Sequence, residues 1–353
     1  MTDMEKQRVI FSDDINETLS AEIALLSPDR TFVLVDETTE RLCLPLLTLG
    51  GNTCPPIVIG SGDQHKNTDS LFKVWDALQK KGATRHSLLI NLGGGMVTDL
   101  GGFAAATFKR GLHCINVPTT LLAMVDASVG GKTGINYGGL KNEVGVFRNA
   151  SSVILSTGFL STLDRENLLS GYAEMLKHGL IATPQMLAQL LSYNIASANG
   201  GDTLQQMLKD SVAVKQRIVL EDPTEQGLRK ALNLGHTIGH AFESLALRRS
   251  RPVLHGYAVA WGLVAELYLS TLKTGFPVST LRQVVAFIKE HYGQMDITCD
   301  DYDMLLELMT HDKKNTSGVI NFSLLADVGQ LRLNQTATQK EIEEALDFYR
   351  EGQ

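Results

Sequence analysis

Two histidines four residues apart give the first sign of chemistry in this chain. In the segment ALNLGHTIGHAF, His236 and His240 fall on one face of a helix. The Glu of an HExxH motif is missing, which excludes a thermolysin-type zinc peptidase. A third histidine, His255, stands near the start of another helical segment, LHGYAVAWG. Upstream, GYAEMLKHG places Glu174 and Lys177 three residues apart on a stretch that is otherwise apolar. Ionised groups on apolar helices need partners, because burying an unpaired charge is costly. A divalent metal held by one carboxylate and two imidazoles, with one position open, would satisfy them as a catalytic zinc-type site. Hydrogen-bonded core residues would satisfy them too, and the spacing by itself leaves both readings standing.

A second group of residues suits phosphate. After the run SLLINL come Gly93, Gly94 and Gly95, then Met96, Val97, Thr98 and Asp99 opening a helical segment. Glycines between a strand and a helix let backbone N–H groups approach a phosphate, and the helix dipole favours the anion. Tight turns use glycine as well. The pattern is not GxGxxG, which disfavours an ordinary Rossmann dehydrogenase. Farther on, Pro118, Thr119 and Thr120 end another strand, and Gly130-Gly131-Lys132-Thr133-Gly134 reads as a flexible loop carrying a cation. A Walker A loop would need glycine where Asp126 stands, so the P-loop reading fails. Asp126 lies between Val125 and Ala127, as a partly buried carboxylate that is either a structural acid or a group tuned for a site.

Cations complete the set. Lys132, Lys141, Lys177, Lys215 and Arg229 each sit beside one of these motifs, in a chain whose net charge is −7. Most charges of this kind are simply solvated. Gathered near glycine loops and a metal, they suit a substrate bearing both phosphate and carboxylate. On a continuous helix Arg229, seven residues before His236, would lie two turns away on nearly the same face.

The elements that must carry these groups change in texture along the chain. Up to about residue 155, short β-rich runs at 32–36, 56–60, 87–92, 114–118 and 152–156 alternate with helical segments such as 66–82. Each run is almost uninterrupted by polar residues, as expected when both faces of a parallel sheet are covered. Beyond about 159, helical periodicity dominates at 203–221, 256–274, 279–291 and 301–310. A loop is expected at 198–202, and one late strand pair at 319–325 and 329–334. The expected architecture is α/β + α: a mostly parallel nucleotide-binding domain over 1–158, then a mainly helical metal- and substrate-binding domain over 159–353. The default site would be a cleft between them.

Composition bounds the rest. Of the 353 residues, 43% are apolar and 20% charged, ordinary values for a globular chain. The acidic balance argues against a nucleic-acid partner. No run approaches the ~20 apolar residues of a membrane span, and MTDMEKQRVI carries no secretory signal. Cys43, Cys54, Cys114 and Cys299 show neither metal-type nor disulfide spacing. All four are expected as packing residues in a cytoplasmic protein.

Several segments, taken together, resemble the signature blocks of the 3-dehydroquinate synthases, a branch of the sugar phosphate cyclases. They are GGGMVTDLGGFAAATFKRG, INVPTTLLAMVDASVGGKTGIN, GYAEMLKHG, GLRKALNLGHTIGHAFE and LHGYAVAWG. The resemblance runs in order from about Asp36 to Lys314. It implies the fold shared with glycerol and iron-containing alcohol dehydrogenases, NAD, and one zinc or cobalt ion per subunit held by Glu174, His236 and His255. For NAD it implies Asp36, Asp63, Lys66, Gly95 through Asp99, Thr119, Thr120, Lys132, Lys141, Phe159, Leu160, Ser161 and Thr162. For the substrate, a phosphorylated sugar acid, it implies Asp126, Lys132, Asn142, Lys177, Lys215, Arg229, Asn233, His240 and Lys313. Arg110 would reach in from the second copy of a homodimer. Three positions depart from the family pattern: Asp63 replaces Glu, Leu140 replaces Gly before Lys141-Asn142, and Thr98 stands where Gly is common.

The implied reaction converts 3-deoxy-D-arabino-heptulosonate 7-phosphate into 3-dehydroquinate and phosphate. It proceeds through transient oxidation by NAD, phosphate elimination, re-reduction and intramolecular aldol closure, so NAD is recycled. A metal-dependent polyol dehydrogenase shares the fold but would release net NADH. A related cyclase of a C7 sugar phosphate without a carboxylate is nearer, and Arg229, Asn233 and His240 resemble the dehydroquinate branch. A non-catalytic nucleotide-binding regulator would have no need of the metal residues.

Overall fold

Six short runs, most of them flanked by helices, build the N-terminal sheet of the computed structural model, which describes residues 7–50, 52–138, 140–195, 201–310 and 320–351. In chain order the elements are β1 (Arg8–Phe11), α1 (Ile15–Leu26), β2 (Thr31–Asp36), α2 (Glu37–Leu42), β3 (Ile57–Ile59), α3 (Thr68–Lys80), β4 (Leu88–Gly93), α4 (Gly95–Thr107), β5 (His113–Pro118), β6 (Lys132–Tyr137), β7 (Leu140–Phe147) and β8 (Ser152–Leu155). The sheet order is β1-β8-β5-β4-β2-β3 and every pair in it is parallel. β2 and β4 are buried at every position, which explains their largely apolar sequences. In register, Gly93 pairs with Pro118, so the glycine turn and Thr119 emerge side by side at the C-terminal edge. That is the edge where open α/β sheets bind ligands.

The segment expected as a flexible loop at 130–134 is partly a strand. Gly130 (φ 103°) and Gly131 (φ 68°) make the turn, and from Lys132 the chain enters β6, paired antiparallel with β7. Gly134 and Gly145 face each other across the hairpin, and a Cβ on Gly134 would come within 2.6 Å of the Val144 carbonyl. Glycine here serves close strand approach. Local sequence signals cannot distinguish that from looseness.

After this unit the chain is mostly helical: α5 (Arg165–Ala182), α6 (Pro184–Ser192), α7 (Asp202–Glu221), α8 (His236–Arg248), α9 (His255–Thr274), α10 (Val278–Tyr292), α11 (Tyr302–Thr310) and α12 (Gln339–Glu351). A hairpin of β9 (Asn321–Asp327) and β10 (Gln330–Thr336) precedes α12. The expected late strand pair is thus present, although residue 319, the loop residues 198–200 and Lys313 lie outside the described residues. By contacts the chain divides into Met1–Asp164 with Asn199–Val212, and Arg165–Ala198 with Ala213–Gln353.

Within the helical unit α9 is buried almost throughout from Gly256 to Ser270, as its continuous apolar sequence requires. Its glycines set how near α8 can come. A Cβ on Gly262 would lie 2.0 Å from the Gly235 carbonyl, so only glycine permits this approach. No helix of the described residues is long and apolar enough to cross a membrane. The expectation that all four cysteines pack inside fails for Cys299, which is exposed on a single 3-10 turn.

Candidate metal centre and nucleotide cradle

The metal-type residues converge inside the helical unit. Glu174 lies in the middle of α5 with none of its surface exposed, one turn from the equally buried Lys177, whose Nζ contacts its Oε2. His236 is the first residue of α8 and His255 the first of α9. Both direct Nε2 at the same oxygen, Glu174 Oε1, at 3.3 and 3.4 Å. His240, one turn along α8, has its ring 5.3 Å from His236 and 5.8 Å from His255. The ligating atoms of the three imidazoles lie within 4.8 Å of one another.

Protonation decides what this cluster can hold. His236 Nδ1 stands 3.1 Å from the Leu234 carbonyl, which can only accept, so Nδ1 carries the proton and Nε2 presents a lone pair. Burial and the neighbouring Lys177 push this imidazole down to about 3, against the pull of Glu174. A bare Nε2 therefore faces a carboxylate oxygen, which is repulsive unless a cation lies between them. His255 Nδ1 is 3.4 Å from Glu243 Oε2. Burial lowers its proton affinity, but Glu174 and Glu243 outweigh burial and raise it to about 10, so a proton holds the place beside Glu174 until a cation displaces it. Burial also raises Glu174, yet Lys177 and His236 hold its carboxyl well below the ordinary range. Its neighbours are close, but among the described residues neither oxygen has a well-formed hydrogen bond. The donor set thus fits a divalent cation of the zinc or cobalt kind, with carboxylate and carbonyl partners fixing the rings behind it.

Arg229 does not sit on a continuous helix with His236. It belongs to a 3-10 segment, Leu228–Asn233, and the left-handed Gly235 (φ 78°) breaks the path into α8. The two-turn face relation expected from spacing is therefore absent. A loop organised by Asp222 holds Arg229 instead: its carboxylate accepts the N–H groups of Gln226, Gly227 and Arg229. Arg229 is 2% exposed, and its guanidinium donates to the Pro223 carbonyl at 2.6 Å. Asn233 donates to Glu225 at 3.1 Å. Lys215 is buried on α7.

In the α/β unit, Gly93 ends β4, Gly94 caps α4 and Gly95 begins it. The cap residue Gly94 has no side chain, so among the described residues it puts no carboxylate or hydroxyl against the first amides of the helix. Side chains at Gly94 and Gly95 would crowd Thr120 and Ala127 at 3.2 and 3.0 Å, so glycine keeps this turn open and close to its neighbours. Met96, Val97, Thr98 and Asp99 form the first turns of α4, and Thr119 is bonded to Gly93 through its N–H. Asp36 ends β2, and its Oδ1 accepts from Thr38 and Thr39 N–H and from Ser61.

The remaining expected residues of this unit form two small clusters. Lys66 bonds both Asp99 and Asn142, while Lys141 pairs with Asp63 at 3.1 Å. Asp126 is half-buried in a five-residue π-helical turn, Ala123–Ala127, and Lys132 is exposed at the start of β6. Phe159, Leu160, Ser161 and Thr162 lie in a 3-10 segment, Thr157–Thr162. Phe159 and Ser161 line a hollow of about 320 Å³ with Asp13, Asp14 and Ser156. Arg110 is exposed, with φ 68°.

Sequence reasoning missed Glu243, Asp222 and Glu266. Glu266 carried a signal, as an acid within the apolar run WGLVAELYL. The other two became meaningful only once their loop and helix partners were placed.

Several solved structures share this fold of a parallel α/β unit followed by a helical unit. The structure of 2-epi-5-epi-valiolone synthase from Streptomyces hygroscopicus subsp. jinggangensis, with NAD+ and Zn2+ bound, matches at TM-score 0.87 and 24% identity, covering 98% of this chain and 97% of that one. That of 2-deoxy-scyllo-inosose synthase, complexed with carbaglucose-6-phosphate, NAD+ and Co2+, matches at TM-score 0.82 and 21% identity, covering 98% and 96%. Residues 56–170 match the family described as 3-dehydroquinate synthase N-terminal, and residues 171–315 that described as 3-dehydroquinate synthase C-terminal. A 3-dehydroquinate synthase from Parabacteroides distasonis is 54% identical over 351 residues, 99% of each chain. The chain belongs to the 3-dehydroquinate synthase family.

Proposed function

We propose that this chain is a carbon–oxygen lyase converting 3-deoxy-D-arabino-heptulosonate 7-phosphate into 3-dehydroquinate and phosphate, a cytoplasmic step toward aromatic amino acids. The observation that carries the reading is the pair of imidazole Nε2 atoms aimed at one oxygen of the buried Glu174. Family membership directs that site to this reaction. Glu174, His236 and His255 hold one zinc or cobalt ion in the domain over 159–353. The Gly93–Gly95 turn and the start of α4 receive the pyrophosphate of NAD in the domain over 1–158, with Asp36, Asp63, Lys66, Thr119, Thr120, Lys141 and the 159–162 turn as its other contacts.

When bound, NAD supplies a reversible hydride acceptor and the ion a Lewis acid for neighbouring hydroxyls. The chain's own work is positioning. Lys177 keeps the Glu174 carboxylate ionised, and the Leu234 carbonyl and Glu243 aim the two rings. Lys132, Lys177, Lys215, Arg229, Asn233, His240 and Lys313 offer the substrate donors for its anionic groups, Asn142 adds a polar contact, and Asp126 accepts from a substrate hydroxyl. The chain works as a homodimer, with Arg110 contributed by the second copy. Exposed apolar residues on the hairpin (Tyr137, Leu140 and Phe147) support an association of this kind.

Incubation with the heptulosonate phosphate, NAD and Co2+ is expected to yield dehydroquinate and inorganic phosphate in equal amounts. Net NADH formation from glycerol, with no phosphate released from the sugar acid, would favour a polyol dehydrogenase. Arg229→Lys provides a finer check. A guanidinium grips a carboxylate through two parallel hydrogen bonds, and an ammonium cannot reproduce this. Charge-assisted bonds are worth about 1.5–3 kcal/mol each, so kcat/KM should fall roughly ten- to a hundredfold or more. NAD and metal affinity should be unchanged. An unaltered kcat/KM would place the carboxylate site elsewhere.

A further inference from the structure

Helix α9 is apolar and buried around its middle, yet it carries a carboxylate, Glu266, with no exposed surface. Its Oε2 accepts the N–H of Gly235 at 2.7 Å, and its Oε1 accepts the N–H of Ile238 at 3.0 Å. These two amides bracket His236 at the start of α8, where the residue in the cap position is Gly235 and has no side chain to cap with. The Leu234 carbonyl that orients the His236 ring precedes the first of them directly. A grip at Gly235 and Ile238 therefore fixes both ends of the short backbone segment that determines where His236 Nε2 points.

The choice of an acid is informative. A carboxylate buried in an apolar helix is costly unless its oxygens are hydrogen-bonded. Here each oxygen takes one amide at a helix N-terminus, where the dipole favours a negative charge. Hydrogen bonds to an ionised acceptor are about twice as strong as neutral ones. A glutamine could satisfy one of the two amides through its carbonyl but would turn an NH2 group toward the other. The arrangement is also reciprocal. α9 begins with His255 and sends Glu266 to the start of α8, while α8 sends Glu243 to the His255 ring.

We propose that Glu266 is a positioning residue for the metal centre. It makes no contact with the ion or the substrate, and holds the start of α8 so that His236 Nε2 stays in line with Glu174 and His255. This inference rests on the metal reading given above.

The test uses the full-length protein and Co2+ as the probe, with affinity measured by chelator competition. Ligand geometry is read from the visible absorption of the bound ion, and NAD affinity from a separate titration. Wild-type protein is expected to take up about one Co2+ per chain and His255→Ala to lose it. Equal uptake by both would overturn the metal reading and this inference with it. Once that difference is seen, Glu266→Gln is expected to weaken Co2+ binding roughly ten- to a hundredfold and to change the absorption spectrum. NAD affinity should stay the same. Wild-type Co2+ affinity and spectrum in Glu266→Gln would overturn the inference while leaving the metal reading intact. Glu266→Asp keeps the charge with a shorter reach and is expected to fall between the two. Should Glu266→Gln fail to fold, a wild-type spectrum and affinity in Glu266→Asp would overturn the inference, whereas a shifted spectrum there would sustain it.

Discussion

His255→Ala is expected to lose its metal and with it nearly all activity, while the rest of the fold stays intact. His255 begins α9 and, among the described residues, supplies one of the two imidazoles facing Glu174 Oε1 within 3.4 Å. Its side chain is partly exposed, so truncation leaves a solvated gap rather than an internal cavity. Polarisation by a bound ion is worth several kcal/mol of transition-state stabilisation. At about 1.4 kcal/mol per decade, kcat should fall by roughly a thousandfold or more. Metal content by atomic absorption and kcat under saturating substrate check this. Full occupancy together with full activity in the variant would remove His255 from the site.

A second large effect concerns stability as well as chemistry. Glu174 and Lys177 are almost wholly buried and pair with each other one turn apart. Breaking a buried pair by removing one partner typically costs about 3–5 kcal/mol, because the remaining charge is left in a poorly polarisable interior. Glu174→Ala should therefore lower Tm by roughly 6–20 °C, beyond its loss of metal. The double variant Glu174→Ala/Lys177→Met should regain much of that stability without regaining metal, since it removes both charges. Thermal melts of the three metal-free proteins provide the comparison. If Glu174→Ala melts with the wild type, the pair is solvated and the burial argument fails.

How much of this was legible in the sequence depends on how local the cause was. The strands β2, β4, β5 and β8 follow from largely apolar runs, and the buried α9 from its mostly apolar sequence. Glu174 and Lys177 drew notice as charges in apolar company, and the structure does bury them together. The hairpin β6–β7 escaped because its glycines signal looseness locally, whereas here they let two backbones meet. Arg229 escaped for a related reason. Nothing local announces that Gly235 turns left-handed under the grip of a carboxylate 31 residues away. Glu243 and Glu266 could be noticed as acids, but their work is defined by partners that only tertiary packing supplies.

The most direct measurement supplies NAD well below the substrate concentration and follows phosphate, dehydroquinate and NADH absorbance together. Because oxidation and re-reduction fall on the same bound molecule, many equivalents of product should form per NAD, with no lasting rise at the NADH band. Product that stops at one equivalent per NAD, with NADH accumulating in step, would contradict the proposed reaction.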